Sequence, residues 1–178
     1  MKDNIKIMIT EEEIEQRTKE LGEQISRDYA GKQVHMVCVL KGGTFFMCEL
    51  AKRITVPVTM DFMSASSYGS STKSSGVVKI VKDLDEPLKD RHVLIVEDII
   101  DSGRTLYYLM SLMRERKPNS IKLCTLLDKP DRRVRDVKVD YLGFEIEDRF
   151  VVGCGMDYQQ KYRNLPYIGE IVLTGEEN

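Results

Sequence analysis

Hydrophobic positions along this chain fall into short blocks, and the spacing inside each block names an element. Residues 35–40, 93–96 and 121–127 are nearly unbroken aliphatic runs, the pattern of strands buried on both faces of a parallel sheet. Helical spacing separates them. Thr10-Glu11-Glu12-Glu13 is a capping box, and Ile14, Leu21 and Ile25 mark one face of the helix it opens, which ends near Ala30-Gly31. Lys41-Gly42-Gly43-Thr44 reads as a turn into a second helix over 45–52. Leu106, Leu109, Met110 and Met113 predict a third helix, stopped at Lys117-Pro118. Further strands are expected over 56–63, 77–81, 137–144, 150–152 and 170–173, and the small polar stretch 64–76 breaks the pattern. Strands alternating with helices imply an α/β fold with a mainly parallel central sheet, right-handed crossovers and helices on both faces.

Composition adds boundaries. A chain of 178 residues suits one domain, and no repeat or linker divides 1–178. A net charge of −2 argues against a basic nucleic-acid surface. No apolar stretch approaches the ~20 residues that span a bilayer, and the N-terminus lacks a signal-peptide core, so no membrane partner and a cytoplasmic location are expected. The cysteines Cys38, Cys48, Cys124 and Cys154 match no CxxC or zinc spacing. Cys38 and Cys124 read as core residues and Cys154 as the most reactive. His35 and His92 open strands and read as structural.

The chemistry concentrates between Val93 and Leu106. An apolar run ends in Glu97 and Asp98, and Asp101-Ser102-Gly103-Arg104-Thr105 then leads into a helix. Open α/β sheets bind ligands at the carboxyl ends of their strands. Adjacent carboxylates there need partners, such as sugar hydroxyls or a hard cation. Gly103 permits a positive φ, Ser102 and Thr105 supply hydroxyls, and the first amides of a helix suit a phosphate monoester. The combination points to a phosphorylated sugar. Lys41-Gly42-Gly43 repeats the strand, glycine turn and helix arrangement beside a point charge.

The stretch resembles the phosphoribosyl-pyrophosphate (PRPP) signature of the type I phosphoribosyltransferases, and matches elsewhere narrow this to the hypoxanthine-guanine phosphoribosyltransferase family. The resemblance runs from about Ile7 to Ile171. It implies a Rossmann-like core, a flexible catalytic loop over 64–76 containing Ser67-Tyr68, and a small hood from the N- and C-terminal segments. Lys41 and Gly42 look like the family's pyrophosphate loop, often preceded by a cis peptide bond, and Arg163 like its pyrophosphate-binding arginine. Lys129 resembles the lysine that meets the purine 6-oxo group. Phe150 is similar to the residue that stacks on the purine, with the Val151 backbone at the far edge of the base. Asp157 resembles the acid that ligates a second Mg²⁺ near the base and pyrophosphate. Glu97 and Asp98 would hold the ribose hydroxyls, directly or through Mg²⁺, while residues 101–105 hold the 5′-phosphate and Asp101 serves as general base. The implied reaction converts hypoxanthine or guanine and PRPP to IMP or GMP and pyrophosphate, and the implied assembly is a homodimer or homotetramer. Cys154 and Met156 depart from, or vary within, the family pattern, which leaves the order of hypoxanthine, guanine and xanthine open. Two rivals are a xanthine-preferring enzyme and a PRPP-sensing, RNA-binding regulator of the attenuator type. The second needs a basic RNA surface.

Overall fold

The computed structural model describes residues 4–67 and 78–172. Their order is β1 (Asn4–Ile9), α1 (Glu11–Asp28), β2 (Val34–Leu40), α2 (Thr44–Ala51), β3 (Val58–Ser67), β4 (Val78–Lys82), β5 (His92–Ile100), α3 (Arg104–Glu115), β6 (Ser120–Asp128), a 3-10 turn (Pro130–Arg132), β7 (Tyr141–Glu145), β8 (Val151–Val152) and β9 (Ile168–Val172).

Six strands form one sheet in the order β4-β3-β2-β5-β6-β7. All neighbours run parallel except the β3–β4 pair. The expected mainly parallel α/β fold is therefore the fold observed. From β2 the chain moves outward to β3, and from β5 it moves the other way to β6. The strand order thus reverses between β2 and β5, which opens a crevice at their carboxyl ends. Residues 41–43 leave one strand there and residues 101–103 leave the other.

Alternation within β5 divides the core. Leu94 and Val96 join the cluster with Leu21, Ile25, Phe46, Met47 and Leu50 from α1 and α2. Val93 and Ile95 point the opposite way, into Leu106, Leu109, Met110 and Met113 of α3. Each such side chain contributes about 1.5–3 kcal/mol by leaving water. This burial fixes the register of β5 and so the height of its acids. The capping box of α1 is present, with Thr10 Oγ1 accepting from Glu13 N at 3.3 Å and Glu13 Oε2 from Thr10 N at 2.8 Å. A second, three-stranded antiparallel sheet, β1-β9-β8, joins the two ends of the chain. Among the described residues no helix is long and apolar enough to cross a membrane.

Several boundaries differ from the expectation. β5 continues through Glu97 and Asp98 to Ile100, because β6 carries the ladder on to Ile100↔Asp128. Pairing with β2 stops at Cys38↔Val96, so the acids lie inside a strand whose β2 side has opened. β3 extends through Ser64 to Ser67, because the antiparallel edge strand β4 satisfies its backbone. The strand expected over 137–144 begins only at Tyr141, and β1 was not anticipated. Tyr68, and most of the loop expected over 64–76, lie outside the described residues.

Candidate functional site

Glu97 and Asp98 stand half-buried at the open end of β5. Burial, then the neighbouring Asp98 charge, pushes the Glu97 carboxyl well above its usual range. Burial also raises Asp98. Hydrogen bonds from backbone amides, including Ile99 N at 2.9 Å, and the Arg163 charge pull it back, while Asp157 pushes it up. Two desolvated acids side by side create local demand for hydroxyl donors or a cation.

The turn beyond them is built around Gly103. Its φ of 74° is left-handed, and it forms the N-cap of α3 without any side-chain cap. A Cβ there would meet the Arg135 carbonyl oxygen at 2.8 Å and Arg133 Cδ at 3.2 Å. The same strap braces the loop from behind, since Val134 N and Arg135 N both donate to the Ser102 carbonyl at 3.0 and 3.1 Å. The result is a cavity of about 220 Å³ bordered by Val39, Glu97 and residues 99–106. It combines the first amides of a helix with the Ser102 and Thr105 hydroxyls and has the chemistry of a phosphate cradle. Asp101 lies exposed at its mouth and accepts from Arg132 Nε at 3.1 Å. Arg104 and Thr105 are exposed in the first turn of α3.

Across the crevice the Leu40–Lys41 peptide bond is cis. Gly42 must be glycine for close approach, because a Cβ would collide with the Asp98 carboxylate. Lys41 Nζ donates to Gln160 Oε1 at 3.4 Å. Arg163 donates from Nη1 to the Gly155 carbonyl at 2.6 Å and from Nη2 to Gln160 Oε1 at 3.2 Å, and it pairs with Asp157 Oδ1 at 2.6 Å. Asp157 Oδ2 also accepts from Gln160 N at 2.8 Å. Lys41, Asp157 and Arg163, distant in sequence, are thus brought together near Asp98.

A third subsite lies at the end of β6. Lys129 is buried, its amide donates to the Ile100 carbonyl at 3.0 Å, and its Nζ reaches Asp148 Oδ1 at 3.4 Å. Asp128, next to it, pairs with Arg133. This strap therefore links the buried lysine to the back of the phosphate cradle. Phe150 is 52% exposed, an unusual position for phenylalanine, and meets Tyr158 edge-on with centroids 5.5 Å apart. Val151 is buried in β8.

Not every expected residue joins the site. Ser67 ends β3, paired with Val78 in the sheet. Cys154 is not the reactive thiol expected from sequence. Burial, with Glu11 nearby, pushes it up to about 11, and its Sγ donates to the Pro166 carbonyl at 3.3 Å. It lines a separate groove with Ile14, Phe45 and Leu165. Cys38 and Cys124 are core residues, as read. His35 and His92 meet the Thr59 and Ser120 hydroxyls, each at 2.8 Å. Sequence reading missed Gln160, Asp148, Arg132 and Arg133, although each lies within four residues of one that it singled out. Among the described residues no three His, Cys, Asp or Glu side chains form a ready metal site. A larger recess, about 810 Å³, opens at the opposite ends of the strands beside Lys32, His35 and Arg91. It lies away from the acids and the phosphate cradle.

The family model for the phosphoribosyl transferase domain matches residues 8–159. The hypoxanthine-guanine phosphoribosyltransferase of Bacillus subtilis (strain 168) is 55% identical over 164 residues, covering 92% of this chain and 91% of the relative. That of Streptococcus thermophilus (strain CNRZ 1066) is 52% identical over 168 residues, covering 94% and 93%. A crystal structure of a hypoxanthine-guanine phosphoribosyltransferase from Bacillus anthracis, with HEPES in its active site, superposes with a TM-score of 0.91. It is 47% identical and covers 95% of this chain and 100% of that one.

Proposed function

This chain belongs to the hypoxanthine-guanine phosphoribosyltransferase family, and from that premise we infer that it joins hypoxanthine or guanine to PRPP, giving IMP or GMP and pyrophosphate. The observation that carries the site assignment is the pair of desolvated acids, Glu97 and Asp98, beside the uncapped N-terminus of α3. That pairing suits a ligand with hydroxyls at one end and a phosphate at the other.

The roles follow from position. The loop 101–105 receives the 5′-phosphate. Glu97 and Asp98 face the ribose hydroxyls. When the bond from ribose C1 to the pyrophosphate oxygen breaks, positive charge builds on the ribose ring, and the carboxyl oxygens of the two acids beside it stabilise that charge. Purine N9 forms the new bond to C1, and Asp101 takes the proton from purine N7. Arg132 steadies that carboxylate at the mouth of the cradle. Lys41 and Arg163 face the departing pyrophosphate. The planar guanidinium fork suits phosphate oxygens.

Lys129 orients the base. An ammonium group donates and cannot accept, so it favours a 6-oxo purine over the 6-amino group of adenine. Phe150, exposed where a base can lie against it, provides the stacking face, with the Val151 backbone at the base's edge. We read the β1-β9-β8 sheet as the hood over this subsite, and Ser67-Tyr68 as part of the loop that excludes water.

The site also fits Mg²⁺. Oxygen donors from Glu97, Asp98 and Asp157 suit a hard cation. Glu97 and Asp98 would hold one ion on the ribose side and Asp157 a second on the pyrophosphate side. When bound, Mg²⁺ neutralises charge on the leaving pyrophosphate. The test is nucleotide formation from PRPP and Mg²⁺ with hypoxanthine, guanine, xanthine or adenine in turn. Product with the first two is expected, and turnover of adenine alone would overturn the reading.

A further inference from the structure

We propose that Gln160 is a latch on the pyrophosphate subsite: its carboxamide oxygen sits between Lys41 and Arg163, at the acceptor position that a pyrophosphate oxygen takes when PRPP binds. The proposal rests on the reading of Lys41 and Arg163 as pyrophosphate ligands.

Two cationic groups from distant segments converge on this one oxygen. Lys41 Nζ lies 3.4 Å from it and Arg163 Nη2 3.2 Å. An amide oxygen has two lone pairs and serves two donors at once. It satisfies their hydrogen bonds without adding a negative charge of its own. A carboxylate at the same place would neutralise them. Gln159 and Gln160 have φ of 51° and 65°, a left-handed bend at consecutive residues. The Gln160 amide is tied to Asp157 Oδ2 at 2.8 Å. The side chain itself is exposed, so it can swing out without disturbing core packing. Arg163 is meanwhile held by the Gly155 carbonyl at 2.6 Å and by Asp157 Oδ1 at 2.6 Å. Its position therefore does not depend on Gln160, and removing the latch frees a donor without losing the cation.

The opposite role is equally concrete. If Gln160 pre-organised the two cations, its loss would weaken anion binding. Titration calorimetry with inorganic pyrophosphate separates the two, using the full chain as wild type, Gln160→Ala, Gln160→Met and Gln160→Glu. Gln160→Met keeps the side-chain length and removes the acceptor. The latch predicts that the alanine and methionine variants bind pyrophosphate about three- to tenfold more tightly, the net worth of one ordinary hydrogen bond. PRPP KM should fall in parallel. Gln160→Glu should bind more weakly than wild type, with a deficit that shrinks as salt rises. Affinity for IMP, which carries no pyrophosphate, should be the same in all four proteins, which a general structural role would not preserve. Unchanged or weaker pyrophosphate binding by both the alanine and methionine variants overturns the latch. Wild-type nucleotide formation is scored separately. Its failure would count against the functional reading, whereas the pyrophosphate titration needs no turnover and judges the latch by itself.

Discussion

Replacing Gly103 by alanine tests the phosphate cradle at its tightest point. An L-residue at φ of 74° costs about 1–2 kcal/mol in the left-handed region. The new methyl group would also stand 2.8 Å from the Arg135 carbonyl oxygen, so the strap behind the loop must move. That movement endangers the two bonds from Val134 N and Arg135 N to Ser102, each worth about 0.5–1.5 kcal/mol net. Together the loss is about 2–5 kcal/mol, or a fall in Tm of roughly 4–20 °C for a chain of this size. Gly31 supplies the control. Its φ is 73°, but a Cβ there meets nothing within 4 Å, so Gly31→Ala should cost only the backbone strain of about 1–2 kcal/mol and leave catalysis unchanged. Urea denaturation of both variants, with PRPP KM beside it, isolates the steric part. Gly103→Ala should raise PRPP KM as well as lower stability. Equal stability losses in the two variants, with PRPP KM unmoved, would refute the idea that the strap shapes the cradle.

Other substitutions address the remaining roles. Asp101→Asn should lower kcat about 10²–10⁴-fold with a smaller effect on PRPP affinity; steady-state kinetics showing weak PRPP binding with normal kcat would reduce Asp101 to a ligand holder. Lys129→Ala should chiefly raise the KM for the base, and an effect confined to PRPP would contradict its placement. Phe150→Ala removes a half-exposed ring, so Tm should hardly change, while base KM rises about tenfold or more from lost stacking. The Glu97 carboxyl is raised by folding, so the folded state holds its proton to higher pH than the unfolded chain does. Its contribution is therefore favourable below the ordinary carboxyl range and is lost as pH rises from there toward the raised value. Glu97→Gln should accordingly be more stable than wild type near neutral pH and flatten the decline across that window. Urea titrations from pH 4 to 8 giving identical slopes would rule this out.

Some of this was written plainly in the residues. The unbroken run Val93 to Val96 marked a buried strand, the capping box started α1 where it does start, and Gly103 took the backbone angle its loop required. Other features depend on partners that a linear reading cannot see. The acids at 97 and 98 looked like the end of a strand, because charge rarely continues one; β6 carries the ladder past them. Ser64 to Ser67 looked like loop, because small polar residues have weak strand preference, yet β4 pairs with them. β1 alternates Ile5, Ile7 and Ile9 with Lys6 and Met8, but only the distant β9 makes that pattern a strand. Gln160 carries no chemical signature of its own. A left-handed turn places its oxygen between two cations. Cys154 lies between site residues in the sequence, but its side chain lines a separate groove, and burial pushes its thiol up to about 11.

The central claim is that Glu97 and Asp98, together with the amides at the start of α3, grip a ribose bearing a phosphate. A crystal structure of the protein with PRPP and Mg²⁺ tests it directly. The 5′-phosphate is expected within hydrogen-bonding distance of the backbone amides of 102–105, with the ribose hydroxyls turned toward Glu97 and Asp98. A sugar bound elsewhere, with that cradle empty, would contradict it.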